Sequence, residues 1–331
     1  MKRFKYREKR CFLKIKMKRF KNYENMMKQK NGKSNVVERL KKQKLLFLML
    51  LPGLLLTFIF KYVPMYGILI AFKDYNPLLG ILKSPWVGLQ EFHQFLSSPN
   101  FEVILMNTIK LSVFGLLLGF LPPIILAIML NQLVSDRVKK KLQLILYAPN
   151  FISVIVIVGM LFLFFSIEGP VNDLLKMFGF NTNFMTNPNY FRSLYISSGI
   201  WQGMGWASTL YTATLVNVDT SLIEAAQLDG ANIFQRIRHI DLPTLKPIMV
   251  IQFILAAGNI MNVGYEKAFL MQTSLNLTTS EIISTYVYKV GLVSGDYSYS
   301  TAVGIFNSVI NMILLFSVNK IVERMNNGEG I

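Results

Sequence analysis

The sequence predicts an all-α integral membrane protein with six spanning helices and both termini in the cytoplasm. Three observations carry this. Six apolar runs stand out, each long enough for the roughly 20 residues that cross a bilayer. The 331-residue chain is 52% hydrophobic and only 16% charged, more apolar surface than one soluble core of this size could enclose. Lys and Arg are, in addition, gathered into a few segments rather than spread between the apolar runs, as the positive-inside rule requires of cytoplasmic connections.

Residues 1–44 form a basic tail holding 18 of the 35 Lys and Arg against Glu8, Glu24 and Glu38. Because this charge directly precedes the first apolar run, it reads as a cytoplasmic anchor in contact with anionic lipid headgroups, and not as a nucleic-acid surface. No cleavable signal is expected, since the first apolar run is long and lacks a small-residue cleavage site. Met17, Met26 and Met27 are alternative starts within the tail. Cys11, the single cysteine, excludes an intrachain disulfide and reads as an unreactive free thiol in a reducing compartment.

The spans are expected at about 45–70, 103–131, 143–166, 192–217, 247–265 and 299–321. Gln202, Gly203, Gly205 and Ser208 dilute the fourth, which is what a helix facing other helices should show. With the N-terminus inside, cytoplasmic segments hold 27 Lys and Arg against six outside, and nine against six without the tail. Pro52, Pro122, Pro123 and Pro149 fall inside spans and predict kinked or broken helices. Residues 72–100, rich in Pro, Gly and aromatics, read as an ordered outer cap. The short C-terminal tail is 323–331.

The connection 218–247, between the fourth and fifth spans, reads as helix, stop, helix, stop. Ser221 is the expected N-cap, with Glu224 three residues later completing a capping box. Gly230 after Asp229 is the expected left-handed terminator. A second helix over about 232–240 places Ile233, Phe234, Ile237 and Ile240 on one apolar side and Arg236 near the other. Leu242-Pro243 is expected to end it. Two short helices tied to spanning segments at both ends make a lever.

Within this loop Glu224, Ala225, Ala226, Gly230, Ile240, Leu242 and Pro243 match, at seven positions in 20 residues, the spacing of the EAA loop of ATP-binding-cassette importer permeases, which the chain therefore resembles. The variant with Asp229-Gly230-Ala231 and Leu242-Pro243 followed by Pro247 is similar to the carbohydrate branch. Pro52-Gly53, Phe60-Lys61-Tyr62, Pro64-Met65-Tyr66-Gly67 and the run Ala71-Phe72-Lys73-Asp74-Tyr75-Asn76-Pro77 resemble permeases for complex oligosaccharides. The likeness covers 45 to about 322.

The resemblance implies a type I importer fold in a bacterial plasma membrane and a permease domain over 45–322. It implies as partners a second homologous permease in a heterodimer, two cytosolic ATPases and an extracellular solute-binding lipoprotein. The chain itself would bind no cofactor, and ATP would be hydrolysed by the partners. Glu224 would contact a basic ATPase residue, Ala225 and Ala226 would permit close approach, and Gly230 would set the angle between the loop helices. Amino acids or peptides are the alternative cargo. An ion-gradient transporter is the alternative class, and it predicts acidic residues within the spans that this sequence does not offer.

For the substrate path, polar groups at membrane depth are the candidates: Gln252, Gly258, Asn259 and Asn262 in the fifth span, and Asn307, Ser308 and Asn311 in the sixth. Trp201 and Trp206 supply aromatic faces for a sugar. Each polar residue serves equally well in interhelical hydrogen bonding. Catalysis is not expected. His93 and His239 fall on opposite sides of the membrane, so they form neither a metal site nor a dyad, and no phosphate-binding Gly-rich loop ending in Lys-Ser/Thr occurs.

Overall fold

The computed structural model describes residues 44–179 and 182–325; the basic tail expected over 1–44 lies outside these residues but for Lys44, as does most of 323–331. Two compact units divide at Tyr66/Gly67. In the first, α1 (Lys44–Thr57) carries Pro52 and passes into a π turn, Phe58–Tyr62. Neither segment buries a side chain, so among its described residues this unit is an apolar helix with no core of its own.

The second unit opens with the end of a 3-10 segment, Val63–Phe72. Then follow α2 (Gly80–Lys83) and α3 (Gln90–Leu96). The outer cap is ordered as its Pro and aromatic content predicts. Lys73, 4% exposed, donates to the carbonyls of Ile81 at 2.6 Å and Leu82 at 3.1 Å, and its Nζ sits 4.9 Å from the centre of the Trp86 ring. The amide of Tyr75 donates to Ser298 Oγ, pinning the cap to the start of the last long helix.

Helix α4 (Phe101–Asn131) runs 31 residues without a break at Pro122 and Pro123. The expected third span, 143–166, is by contrast divided. Helix α5 (Asp136–Tyr147) gives way to a 3-10 turn at Ala148–Phe151, and α6 (Val154–Phe165) begins after Ser153, whose hydroxyl accepts from the Val156 amide. Pro149 is the cause, because it sits at the start of the turn where its missing N–H cannot continue α5. A short α7 (Pro170–Lys176) precedes α8 (Pro188–Val216).

After the loop, α11 (Leu242–Gly258) is followed by α12 (Tyr265–Met271), α13 (Leu277–Ser280), α14 (Ile283–Tyr288) and α15 (Tyr297–Met325). The fifth span was expected to reach residue 265 but stops at Gly258. Asn259 leaves helical geometry at φ −113°, ψ 17°, and a bend separates it from α12. Among the described residues the only pairing of extended backbone is the isolated bridge of Lys73 with Trp86.

Among the described residues, five helical stretches are long and apolar enough to cross a membrane: Lys44–Phe72, Phe101–Asn131, Val154–Lys176, Ile233–Gly258 and Tyr297–Lys320. Helix α8 matches them in length, with 29 residues and so a reach of roughly 43 Å, but not in apolarity. The reason is its setting. It packs along α4, its most extensive neighbour, and buries Gly205, Ser208 and Thr212 within the fold, with Ser208 and Thr212 donating to the carbonyls of Gly205 and Ser208. Polar groups are tolerated on α8 because helix backbone, not lipid, receives them.

Three apolar clusters hold the unit. One joins α4, α6, α8 and α12 around Leu111, Ile157, Phe191 and Ala268. A second gathers Phe95, Ile104, Tyr299 and Val303 near the cap. The third, Ile124, Ala127, Ile128, Tyr211, Leu215 and Leu245, joins α4, α8 and α11 at their loop-side ends.

Candidate coupling loop and translocation path

The loop begins with α9 (Thr220–Leu228). Its N-cap is Asp219, whose carboxylate accepts from the Ser221 amide at 2.9 Å, so the Ser221 cap with its Glu224 box is corrected. Asp fits better because it stands at the last extended position, φ −61° and ψ 123°, where a short carboxylate reaches the first free amides. That same hydrogen bond holds the Asp219 carboxyl below its usual range.

Gly230 ends α9 as the spacing predicts, at φ +75°. Its amide donates to Gln227 O at 3.1 Å, and the Ala231 amide to Ala226 O at 2.9 Å. These two bonds form a Schellman closure, in which only glycine accepts the left-handed position without a Cβ penalty. The capping box lies on the second helix instead. Asn232 Oδ1 accepts from the Gln235 amide at 2.9 Å and Gln235 Oε1 from the Asn232 amide at 2.8 Å. That helix, α10 (Ile233–Arg236), does not end at Leu242-Pro243. It runs through a π turn, Ile237–Asp241, directly into α11. Pro243 follows directly on the π turn, whose extra residue accommodates its ring and missing N–H within the continuous helix.

The apolar side of the second helix is accordingly split. Ile240 is buried, whereas Phe234 is 77% exposed. Leu222 and Leu228 are exposed beside it, as are Glu224, Ala225 and Asp229, while Ala226 is half-buried. Leu242 is exposed and Pro243 lies at the root of α11. The loop thus presents a carboxylate among small residues on α9, flanked by exposed apolar side chains, and α9 is followed by α10, which continues unbroken into a spanning helix. Such a surface is suited to a protein partner.

Deeper in the fold, a cavity of about 690 Å³ opens between α4, α8 and α11, lined by Gly115, Gly119, Phe120, Trp206 and Gln252 among others. The structure therefore brings Trp206 and Gln252 together. Trp206 is 53% exposed, and the rings of Phe151 and Tyr147 meet it edge-on at 5.8 and 6.4 Å. Trp201 instead lines a separate apolar cavity with Met160, Phe164 and Leu194.

Asn259 and Asn262 lie in the bend after α11, both exposed. Asn311 of α15 organises the bend: its Oδ1 accepts from the Met261 amide at 2.9 Å, and its Nδ2 donates to Asn262 Oδ1 at 3.1 Å. Asn259 Nδ2 bonds back to Leu255 O. Gly258 faces Leu315, and a Cβ there would lie 2.6 Å from Leu315 Cδ1. Asn307 Oδ1 is buried without a partner, and Ser308 returns its hydroxyl to Gly304 O. Among the described residues no group of His, Cys, Asp or Glu could hold a metal.

The model of one protein family, described as the binding-protein-dependent transport system inner membrane component, matches residues 123–327. The chain belongs to this family. It is a multi-pass component of a bacterial inner-membrane transport system. The permease is 42% identical to protein LplB of Bacillus subtilis over 87% of its own length and 91% of the relative's. It is 40% identical to the polygalacturonan/rhamnogalacturonan transport system permease protein YteP of the same organism, over 91% and 94% of the two chains. Its structure resembles a chain of a bacterial ABC transporter involved in import of the acidic polysaccharide alginate, with a TM-score of 0.80 and 36% identity, over 88% of the permease and all of that chain. The same transporter has been solved in complex with its alginate pentasaccharide-bound periplasmic protein, at a TM-score of 0.81. The all-α type I importer fold follows from these likenesses.

Asp219, Asn232 and Gln235 were not picked out from the sequence, though Asn-x-x-Gln at 232–235 is a readable capping signal. Asn311 was picked out as a polar residue at membrane depth, but not as the anchor of the bend, because that role depends on a segment 50 residues away.

Proposed function

We propose that this permease is the membrane half of an ATP-driven importer for an oligosaccharide delivered by an extracellular solute-binding protein. The observation that supports the cargo is the 40% identity, over nearly the full length of both chains, to a permease named for polygalacturonan and rhamnogalacturonan. The likeness to an alginate importer points the same way, toward uronate-bearing chains. Two cytosolic ATPases dock on loops of this kind, one on this chain and one on a second, related permease. Glu224 meets a basic ATPase residue, and Ala225 with Ala226 lets the helices approach closely.

The chain performs no catalysis and holds no cofactor; ATP is hydrolysed by the partner subunits. The cargo crosses beside Trp206 and Gln252, whose aromatic face and amide suit a sugar, and past Asn259, Asn262 and Asn307 at the bend and on α15. Apolar walls with a few placed polar groups are the usual make-up of a ligand site.

The test is purification of the permease pair with its ATPases, followed by reconstitution with the binding protein. Galacturonate oligomers are expected to stimulate ATP hydrolysis and to accumulate inside vesicles, and neutral oligomers of the same length are not. Glu224→Ala and Gly230→Pro are expected to leave hydrolysis uncoupled from uptake, by about tenfold or more for the proline, which has no access to φ +75°. Normal uptake in both variants would sink the coupling role, and stimulation by neutral oligomers alone would sink the cargo.

A further inference from the structure

Behind the coupling helix lies a buried carboxylate. Asp241, in the π turn at the root of α11, is 3% exposed. Its Oδ2 accepts from Gln132 Nε2 at 2.7 Å, a contact between residues 109 positions apart. Gln132 caps the C-terminus of α4, directly after Asn131. Arg236, one turn before Asp241, acts on the carboxylate electrostatically, and its Nε is buried with no hydrogen-bond partner. These side chains, with Asn131, Ile223 and Gln227, line a small cavity of about 240 Å³, so the knot faces α9 across it.

A buried carboxylate is costly to desolvate, and an aliphatic side chain at this position would fill the same space without that cost. What the carboxylate adds is direction, because it accepts only from donors placed along its lone pairs. Here the donor belongs to a different spanning helix. One route from the loop into the membrane is the continuous helix from Ile233 to Gly258. The Gln132–Asp241 tie is a second route, into α4. Ile124, Ala127 and Ile128 lie one to two turns above Gln132 and pack with Tyr211, Leu215 and Leu245 of α8 and α11. Gly119, Phe120 and Pro123, the next turn along α4, line the large cavity.

We propose that Gln132 and Asp241 are positioning residues that clamp the end of α4 to the root of the coupling loop. Loop movement is thereby delivered to both walls of the translocation cavity, α4 and α11, rather than to α11 alone. Arg236 balances the charge of the clamp. This inference rests on the reading of the loop as the ATPase-docking element.

The experiment is a polarity swap in the reconstituted importer, read as uptake per ATP hydrolysed alongside retention of the ATPases on the purified permease. Gln132→Glu sets two carboxylates against each other and is expected to lower uptake per ATP about tenfold, within the range by which residues linking two sites alter coupling. Gln132→Glu combined with Asp241→Asn restores one donor and one acceptor in reversed order and is expected to recover most of that loss. Bound ATPase is expected at wild-type amounts in both, since the outer face of α9 is untouched. A swap no better than the single variant overturns the clamp, as does a Gln132→Glu importer as well coupled as wild type. Should Gln132→Glu fail to assemble, Gln132→Leu keeps the volume and removes the donor. It is expected to lose coupling about fivefold, and wild-type coupling in this variant overturns the proposal. Wild-type permease that retains no ATPase would instead refute the docking role of the loop, leaving the two failures distinguishable.

Discussion

Lys267 shows how much a single side chain here depends on its surroundings. It is 8% exposed, donates to Tyr195 O at 3.0 Å and lies 5.0 Å from the centre of the Tyr195 ring. Among the described residues no carboxylate pairs with it. Burial pulls its pKa down to about 8, against roughly 10.4 in an unfolded chain. Between these values the unfolded chain binds more protons than the folded one, so stability rises as pH rises through that window, and the penalty for the buried charge is fully present below it. The melting temperature of the purified permease is therefore expected to climb from pH 7.5 to 10, and Lys267→Met is expected to flatten the climb. An equal slope in the variant would show that another group titrates. In the sequence this lysine reads only as one more positive charge in an outer connection, because burial is a property of its neighbours.

At the scale of elements, α5 and α8 approach closely at Gly205. A Cβ on Gly205 would lie 1.9 Å from Leu146 O, with backbone and not a flexible side-chain end in the way, whereas one on Gly203 would meet nothing within 4 Å. Gly205→Ala must therefore push the two helices apart, at a cost of about 1–3 kcal/mol, while Gly203→Ala should be neutral or slightly stabilising through helix propensity. A thermal melt of the two variants side by side checks this, and equal midpoints would refute the contact. Both glycines read alike in the sequence, as residues diluting an apolar run. Which of them carries a contact is settled by the break at Pro149, which ends α5 within reach of α8. The break itself was anticipated from the proline, but not the neighbour it serves. The loop shows the complementary case. Gly230 and the two-helix pattern were readable because they rest on hydrogen bonds to residues within five positions. The continuity of the second helix into α11 was not, since a π turn absorbs a proline that by local rules should have ended it.

At the scale of the whole molecule, the side chains proposed above for the sugar path come together from separate helices. Trp206 from α8 and Gln252 from α11 share the cavity of about 690 Å³ with the glycines of α4. Replacing Trp206 by Ala removes an exposed aromatic face supported edge-on by Phe151 and Tyr147. Aromatic stacking contributes about 0.5–1.5 kcal/mol, so uptake in Trp206→Ala is expected to fall by up to about tenfold at low oligomer concentration with ATPase retention unchanged. Trp201→Ala, which empties a different cavity, is expected to leave uptake nearly intact. Equal losses in the two variants would remove Trp206 from the path.

By itself the sequence determined that the chain is helical and membrane-embedded, where the loop's first helix stops, and to which family of permeases it is akin. These are decided by runs of apolar residues longer than 18, by charge asymmetry and by spacings shorter than a few turns, all of them local along the chain. Only the tertiary structure decided which polar residues meet. Gln132 finds Asp241 109 positions away, Asn311 holds a bend 50 positions before it, and Lys267 lies against Tyr195 72 positions earlier. A hydrogen bond at 3 Å carries no trace along the chain of the separation it closes, so the clamp behind the coupling loop emerges only once the helices are packed.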